Sequence, residues 1–249
     1  HLTGGSAGRE GAALQLGGCL SGSLGRVLRL DDKDERIITM CGMAGGFSAL
    51  FGTPLAAAVF AMEVESIGVM YYAALVPCVL SALIANVISS LFGVASTSFT
   101  LAAIPELSAI SLLQAIGLGI VFGALASLFC RAMHIGGTLY KKIENPYLRI
   151  VVGGCIVALL SLLVRSGDYN GAGMSVISAA LAGHAVPWAF ALKIVFTVLT
   201  LGAGFKGGEI VPCFFVGATC GCVVAPLLGM DAGFGAALGL IAVFCGVTN

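Results

Sequence analysis

Gly4-Gly5-Ser6-Ala7-Gly8-Arg9-Glu10-Gly11-Ala12-Ala13-Leu14-Gln15 stands almost at the start of the chain. It sets a glycine-rich backbone and a charged Arg-Glu step directly before an apolar helical pattern that runs on from Ala12. A helix begins with unpaired N–H groups and a partial positive charge, so its N-terminus attracts anions. Glu10 is itself an anion at such an end, and it can occupy a position that a soluble anion would also take. A second stretch repeats the pattern: Gly202-Ala203-Gly204-Phe205-Lys206-Gly207-Gly208-Glu209-Ile210-Val211-Pro212. Two broken-helix elements in corresponding places point to a transporter's binding site. The expectation is that their helix N-termini converge near the bilayer midplane.

The composition places both stretches in lipid. Of 249 residues, 59% are hydrophobic and only 10% charged, where soluble domains carry about a quarter charged residues. The chain is therefore read as an all-α polytopic membrane protein. A formal net charge of zero excludes an electrostatic nucleic-acid binder. Thirty-six glycines, about twice ordinary usage, suit close helix packing in a bilayer. The nine cysteines form no CxxC and lie within apolar runs, which reads as small apolar residues rather than a disulfide framework or metal site. No cofactor is expected. The lack of an initiator Met and the apolar run at the far end are read as marks of an internal piece of a longer protein.

In chain order, Ala12 to Leu30 reads as a glycine-rich apolar helix. Arg29 to Arg36 reads as a charged, solvated connection and helix cap. Ile37 to Phe51 is a second helix, broken at Gly52-Thr53-Pro54. Pro54 to about Val64 is too short for the ~20 residues that span a bilayer, and such helices persist at depth only inside protein or beside a cavity. Glu63 and Glu65 close it, either at an aqueous face or as an inlet for protons. Met70 to Phe92 is a span that Pro77 bends. Ala109 to Ile143 is one very long helix that must tilt or protrude. Spans follow at Tyr147 to Val164 and Val186 to Leu201, with a short helix ending at Leu181 between them. The last two run from Glu209 to Leu228 and from Phe234 to Val247.

Gly8-Arg9-Glu10-Gly11 with Gln15 resembles the GREGP signature of the CLC chloride channels and anion/proton antiporters. Gly208-Glu209-Ile210-Val211-Pro212 resembles that family's GxFxP, with Ile in the Phe position. Phe60-Ala61-Met62-Glu63 resembles the start of its FxxEE, with Val64 where the second glutamate stands. Within the family the chain is most similar to the fluoride-exporting branch, through Gly204 to Glu209 and the non-proline Ala12. Val211 departs from the threonine expected in that branch.

The resemblance implies a CLC-type inverted-repeat fold with short, broken and tilted helices, incomplete here at both ends. Residues 1–108 would close the first repeat and 109–249 would form most of the second. It further implies a homodimer with one pore per subunit, in a prokaryotic plasma membrane, moving a halide (fluoride or chloride) and protons. Glu10 would be the gate and proton carrier. Gly8, Arg9, Gly11, Gly208, Ile210 and Val211 would line the anion site, with Glu209 or Glu65 on a proton path.

The chemistry supports Glu10 independently. A charged residue at mid-helix depth costs about 2.5–3.5 kcal/mol on insertion scales and persists mainly with a pathway or a partner. The plain alternative is a carboxylate that caps its helix or pairs with Arg9. Arg9 could equally be half of such an ion pair, and Glu209 could turn to Lys206. Two other readings stand beside the antiporter: a passive chloride channel of the same fold, and a structural membrane subunit. An enzyme would need a nucleophile–base or metal constellation, and the sequence offers neither. GK[ST] is also missing, so no phosphate loop is read at Lys206.

Overall fold

A computed structural model describes residues 4–64, 70–94, 96–97, 99, 101, 104–106 and 108–248. It divides into two compact units, Glu10–Ser98 and a larger one joining Phe99–Thr248 to the opening segment up to Arg9.

Among its described residues the smaller unit has four α-helices, α1 (Glu10–Val27), α2 (Asp32–Phe51), α3 (Pro54–Glu63) and α4 (Leu75–Leu91). α1 and α2 approach backbone to backbone: a Cβ on Gly17 would strike the Gly42 carbonyl, and one on Gly42 would strike Ser21 and the Gly17 carbonyl. Hydroxyls seal α2 to α4, since Ser48 donates to the Ala82 carbonyl at 2.7 Å and Ser81 to the Cys41 carbonyl at 2.8 Å. α2 stops where Gly52 turns left-handed at φ 67°, and Pro54 then opens α3 in a position where its missing N–H is no loss.

Two expectations are corrected here. The charged run does not form the whole connection, because helix α2 already begins at Asp32. Asp31 caps it by accepting from the Asp34 N–H at 2.8 Å. Asp32, Asp34 and Glu35 fill its first turn, where carboxylates complement the positive helix end. Pro77 does not bend a span; it lies in the first turn of α4 behind a 3-10 turn at Tyr72–Ala74, where no intrahelical N–H is required of it. Glu65 lies outside the described residues.

The larger unit contains α5 (Ala109–Lys141), α6 (Pro146–Val164), α7 (Met174–Leu181), α8 (Ala189–Gly202), α9 (Ile210–Val224) and α10 (Ala232–Thr248). α5 has 33 residues, about 50 Å at ~1.5 Å per residue, so it exceeds the bilayer core. α8 starts later than its apolar pattern, because Trp188 occupies its N-cap. α9 is the central helix, buried at every residue from Val211 to Cys222. Its Gly217 and Gly221 face Gly239 and Gly235 of α10 so closely that a Cβ at any of the four would meet main-chain atoms. Phe122 and Phe129 of α5, Ile194 of α8, Cys213, Val216 and Cys220 of α9 and Val243 of α10 share one apolar core.

Four helical stretches among the described residues are long and apolar enough to cross a membrane: Tyr72–Leu91, Ala109–Lys141, Pro146–Val164 and Ile210–Leu228. The first three carry rows of exposed leucine, isoleucine and valine, among them Leu80, Ile84, Leu113, Ile120, Leu159 and Leu162. Burying each in a soluble fold would be favourable; left outside, they suit lipid.

Candidate anion and proton site

The opening segment and the second glycine element meet in the larger unit. The Gly8 N–H donates to the Gly208 carbonyl at 2.8 Å, and the Gly208 N–H returns a bond to the Gly8 carbonyl at 2.9 Å. This antiparallel pair is surrounded by close contact, for a Cβ on Gly207 would overlap that of Ala7. The pairing alters the expected roles. Both glycine amides are engaged with each other, so Gly8 and Gly208 act as a clasp and are not open donors to an ion.

The donors left on this side are those of Ile210 and Val211, which open α9. The first N–H groups of a helix have no partner within it. Glu209, at the N-cap, makes no side-chain cap bond. Val211 is buried and Pro212, which has no N–H, follows it. Arg9 is exposed beside the clasp, while Glu10 is half-buried and is the first residue of α1, with Gly11 next to it.

Glu209 does not turn to Lys206: no ion pair joins them among the described residues. Its carboxylate instead borders a cavity of about 440 Å³ in the larger unit, with Met133, Gly137 and Lys141 of α5, Arg149 of α6, and Leu201 and Gly202 of α8. Two cations and one carboxylate thus line the same cavity, an arrangement able to hold an anion or pass a proton. Glu63 ends α3.

One polar residue of the site region escaped the sequence reading. Lys193, in the apolar helix α8, is fully buried and donates to the Tyr169 carbonyl at 3.1 Å and the Gly171 carbonyl at 2.8 Å. A lone ammonium inside an apolar span was its available signal.

The fold and site define a multi-pass integral membrane protein whose broken helices start at a paired-glycine junction. The family model described as voltage gated chloride channel matches residues 1–249. The chain belongs to this family, the CLC proteins. A chloride/fluoride channel protein of Pseudomonas syringae pv. tomato is 41% identical over 256 residues, covering all of this chain and 57% of that relative. An H(+)/Cl(-) exchange transporter of Vibrio cholerae is 30% identical, over 94% of this chain and 49% of its own. Among solved structures, a CLC-type fluoride/proton antiporter superposes with TM-score 0.93 at 38% identity, covering 98% of this chain and 62% of the other. A slow cyanobacterial Cl-/H+ antiporter, at 19% identity and TM-score 0.74, shares the fold. The chain therefore spans about half to two thirds of the length of these proteins.

Proposed function

We propose that the protein exchanges halide for protons across the membrane, with fluoride the preferred anion and Glu10 the gate. The observation that carries this reading is the Gly8–Gly208 clasp. It ties the segment leading to Glu10 to the uncapped start of α9, where the Ile210 and Val211 amides are available to an anion. Ionised, Glu10 would compete for that site; protonated, it would lose its charge, release the site and carry the proton. Arg9 would add positive potential along the path, with Gly11 next to the gate in sequence. Glu209, on its charged cavity, is the candidate for the second leg of the proton path. Glu65 is the other candidate, and Val64 cannot serve.

The relatives support the substrate class, since those named above are described by chloride, fluoride and proton movement. We also propose that residues 1–108 close one inverted repeat and that 109–249 form most of the second. We further propose a homodimer in membrane lipid.

The test is efflux from liposomes loaded separately with fluoride and chloride, with internal pH recorded for wild type and Glu10→Ala. Fluoride-preferring efflux with proton uptake, uncoupled by the substitution, is the expected result. Chloride-preferring efflux that moves no protons would leave a passive channel of the same fold. Absence of anion flux from wild type and Glu10→Ala alike would leave a structural subunit.

A further inference from the structure

α8 has three polar side chains, Lys193, Thr197 and Thr200, at positions i, i+4 and i+7 of one face. Residues so spaced lie in line along a helix. All three are buried, at 0%, 0% and 2% exposure. A polar stripe inside an apolar helix is costly unless every group is satisfied, and here each member has a defined partner.

Lys193 Nζ donates to the carbonyls of Tyr169 and Gly171, in the loop between α6 and α7, and stands 4.9 Å from the centroid of the Phe215 ring. Phe215 belongs to α9 and is itself fully buried. Gly171 passes the connection on, its N–H donating to the Gly5 carbonyl at 2.9 Å. The next residue, Ser6, is held by the rest of the stripe. Its N–H donates to Thr200 Oγ1 at 3.1 Å, and its hydroxyl shares a hydrogen bond with Thr197 Oγ1 at 3.2 Å. Thr200 Oγ1 is oriented in turn by donating to the Phe196 carbonyl at 2.8 Å. Ala7 then packs on Gly207, and Gly8 closes the clasp with Gly208. Every residue from Gly5 to Gly8 is thus fixed, and the fixing begins on one face of α8.

We propose that Lys193 is a positioning residue for the gate: through Gly171 and Gly5, and with Thr197 and Thr200 on Ser6, it sets the register of the segment that delivers Glu10. This rests on the reading of Glu10 as the gate. Lys193 does not itself bind the transported ion; its ammonium is engaged by main-chain carbonyls and an aromatic face. The charge matters because a charged donor makes the stronger hydrogen bond, and the loop carbonyls it holds have no regular secondary structure to hold them otherwise.

The test is a double-mutant cycle in liposomes on the full-length protein. Lys193→Met keeps the stem and removes the donors. Thr200→Val keeps the shape and removes the acceptor for the Ser6 N–H without touching any charge. Each is expected to lower the number of protons moved per anion by about fivefold or more, a common size for coupling between sites. Lys193→Arg, which keeps charge and donors, should restore part of the loss. In the Glu10→Ala background neither substitution should change the residual anion flux further. Equal loss of flux in both backgrounds, together with a lowered melting temperature, would mean a merely structural role and overturn the proposal. So would a silent Thr200→Val beside an active Lys193→Met, which would point to the charge acting directly on the ion. Should Lys193→Met not fold, Thr200→Val and Lys193→Arg decide the matter alone. Coupling that survives Glu10→Ala itself would instead show that the gate has been misassigned, an outcome separate from all of these.

Discussion

At the scale of single residues, Glu209 and Gly207 make separable predictions. Glu209→Gln keeps the size of a side chain bordering the charged cavity and removes its ability to take a proton. Proton uptake in liposomes should fall by about a hundredfold, the lower end of a general acid–base contribution, while fluoride efflux persists. Gly207→Ala places a methyl where Ala7 already sits, and overpacking of this kind costs about 1–3 kcal/mol. A lower unfolding temperature in detergent, with weaker proton coupling, is expected; an unchanged protein would mean that the clasp is not under steric constraint. Glu10 and Gly208 were legible in the sequence because charge beside glycine in an apolar chain is rare. The engagement of the Gly8 and Gly208 amides with each other was not, since a main-chain pair between residues two hundred positions apart leaves no side-chain signature. Lys193 was hidden for a related reason. Its partners are carbonyls of an irregular loop, which any sequence would supply.

Elements were legible to the extent that their ends are written in side chains. Pro54 and Pro146 open α3 and α6, and both were readable. The start of α2 was misread because Asp32, Lys33, Asp34, Glu35 and Arg36 look like a solvated loop by charge alone, whereas a helix start in water favours acids. The glycines of α9 and α10 give the prediction proper to this scale. Gly217→Ala and Gly221→Ala each force a methyl against main-chain atoms of α10. Main chain cannot step aside as a flexible side chain can, so both substitutions should sharply lower folded yield and thermal stability. Gly119→Ala, on the exposed side of α5 with nothing within 4 Å of a new Cβ, is the control and should be neutral. Equal behaviour of all three would show that the seam is looser than the contact implies.

For the whole molecule, the apolar rows on α4, α5 and α6 must meet lipid or another protein surface. If the proposed homodimer is right, light scattering of the detergent-solubilised protein will give the mass of two copies, and a single-copy mass would remove the dimer. The broad class was plain from composition, since so few charges over so many apolar residues leave little but a bilayer as solvent. The deepest helix has an electrical consequence. From Val211 to Val224, α9 carries no charged side chain, and its seam with α10 brings backbone against backbone. That slab is apolar and tightly packed, so under the proposed transport reading ions would pass at its first turn and not along it. Under that reading a membrane voltage would fall mainly across this short stretch, where moving one elementary charge through the full field is worth about 2.3 kcal/mol per 100 mV. A carboxylate that swings there would feel the membrane potential as well as the proton gradient.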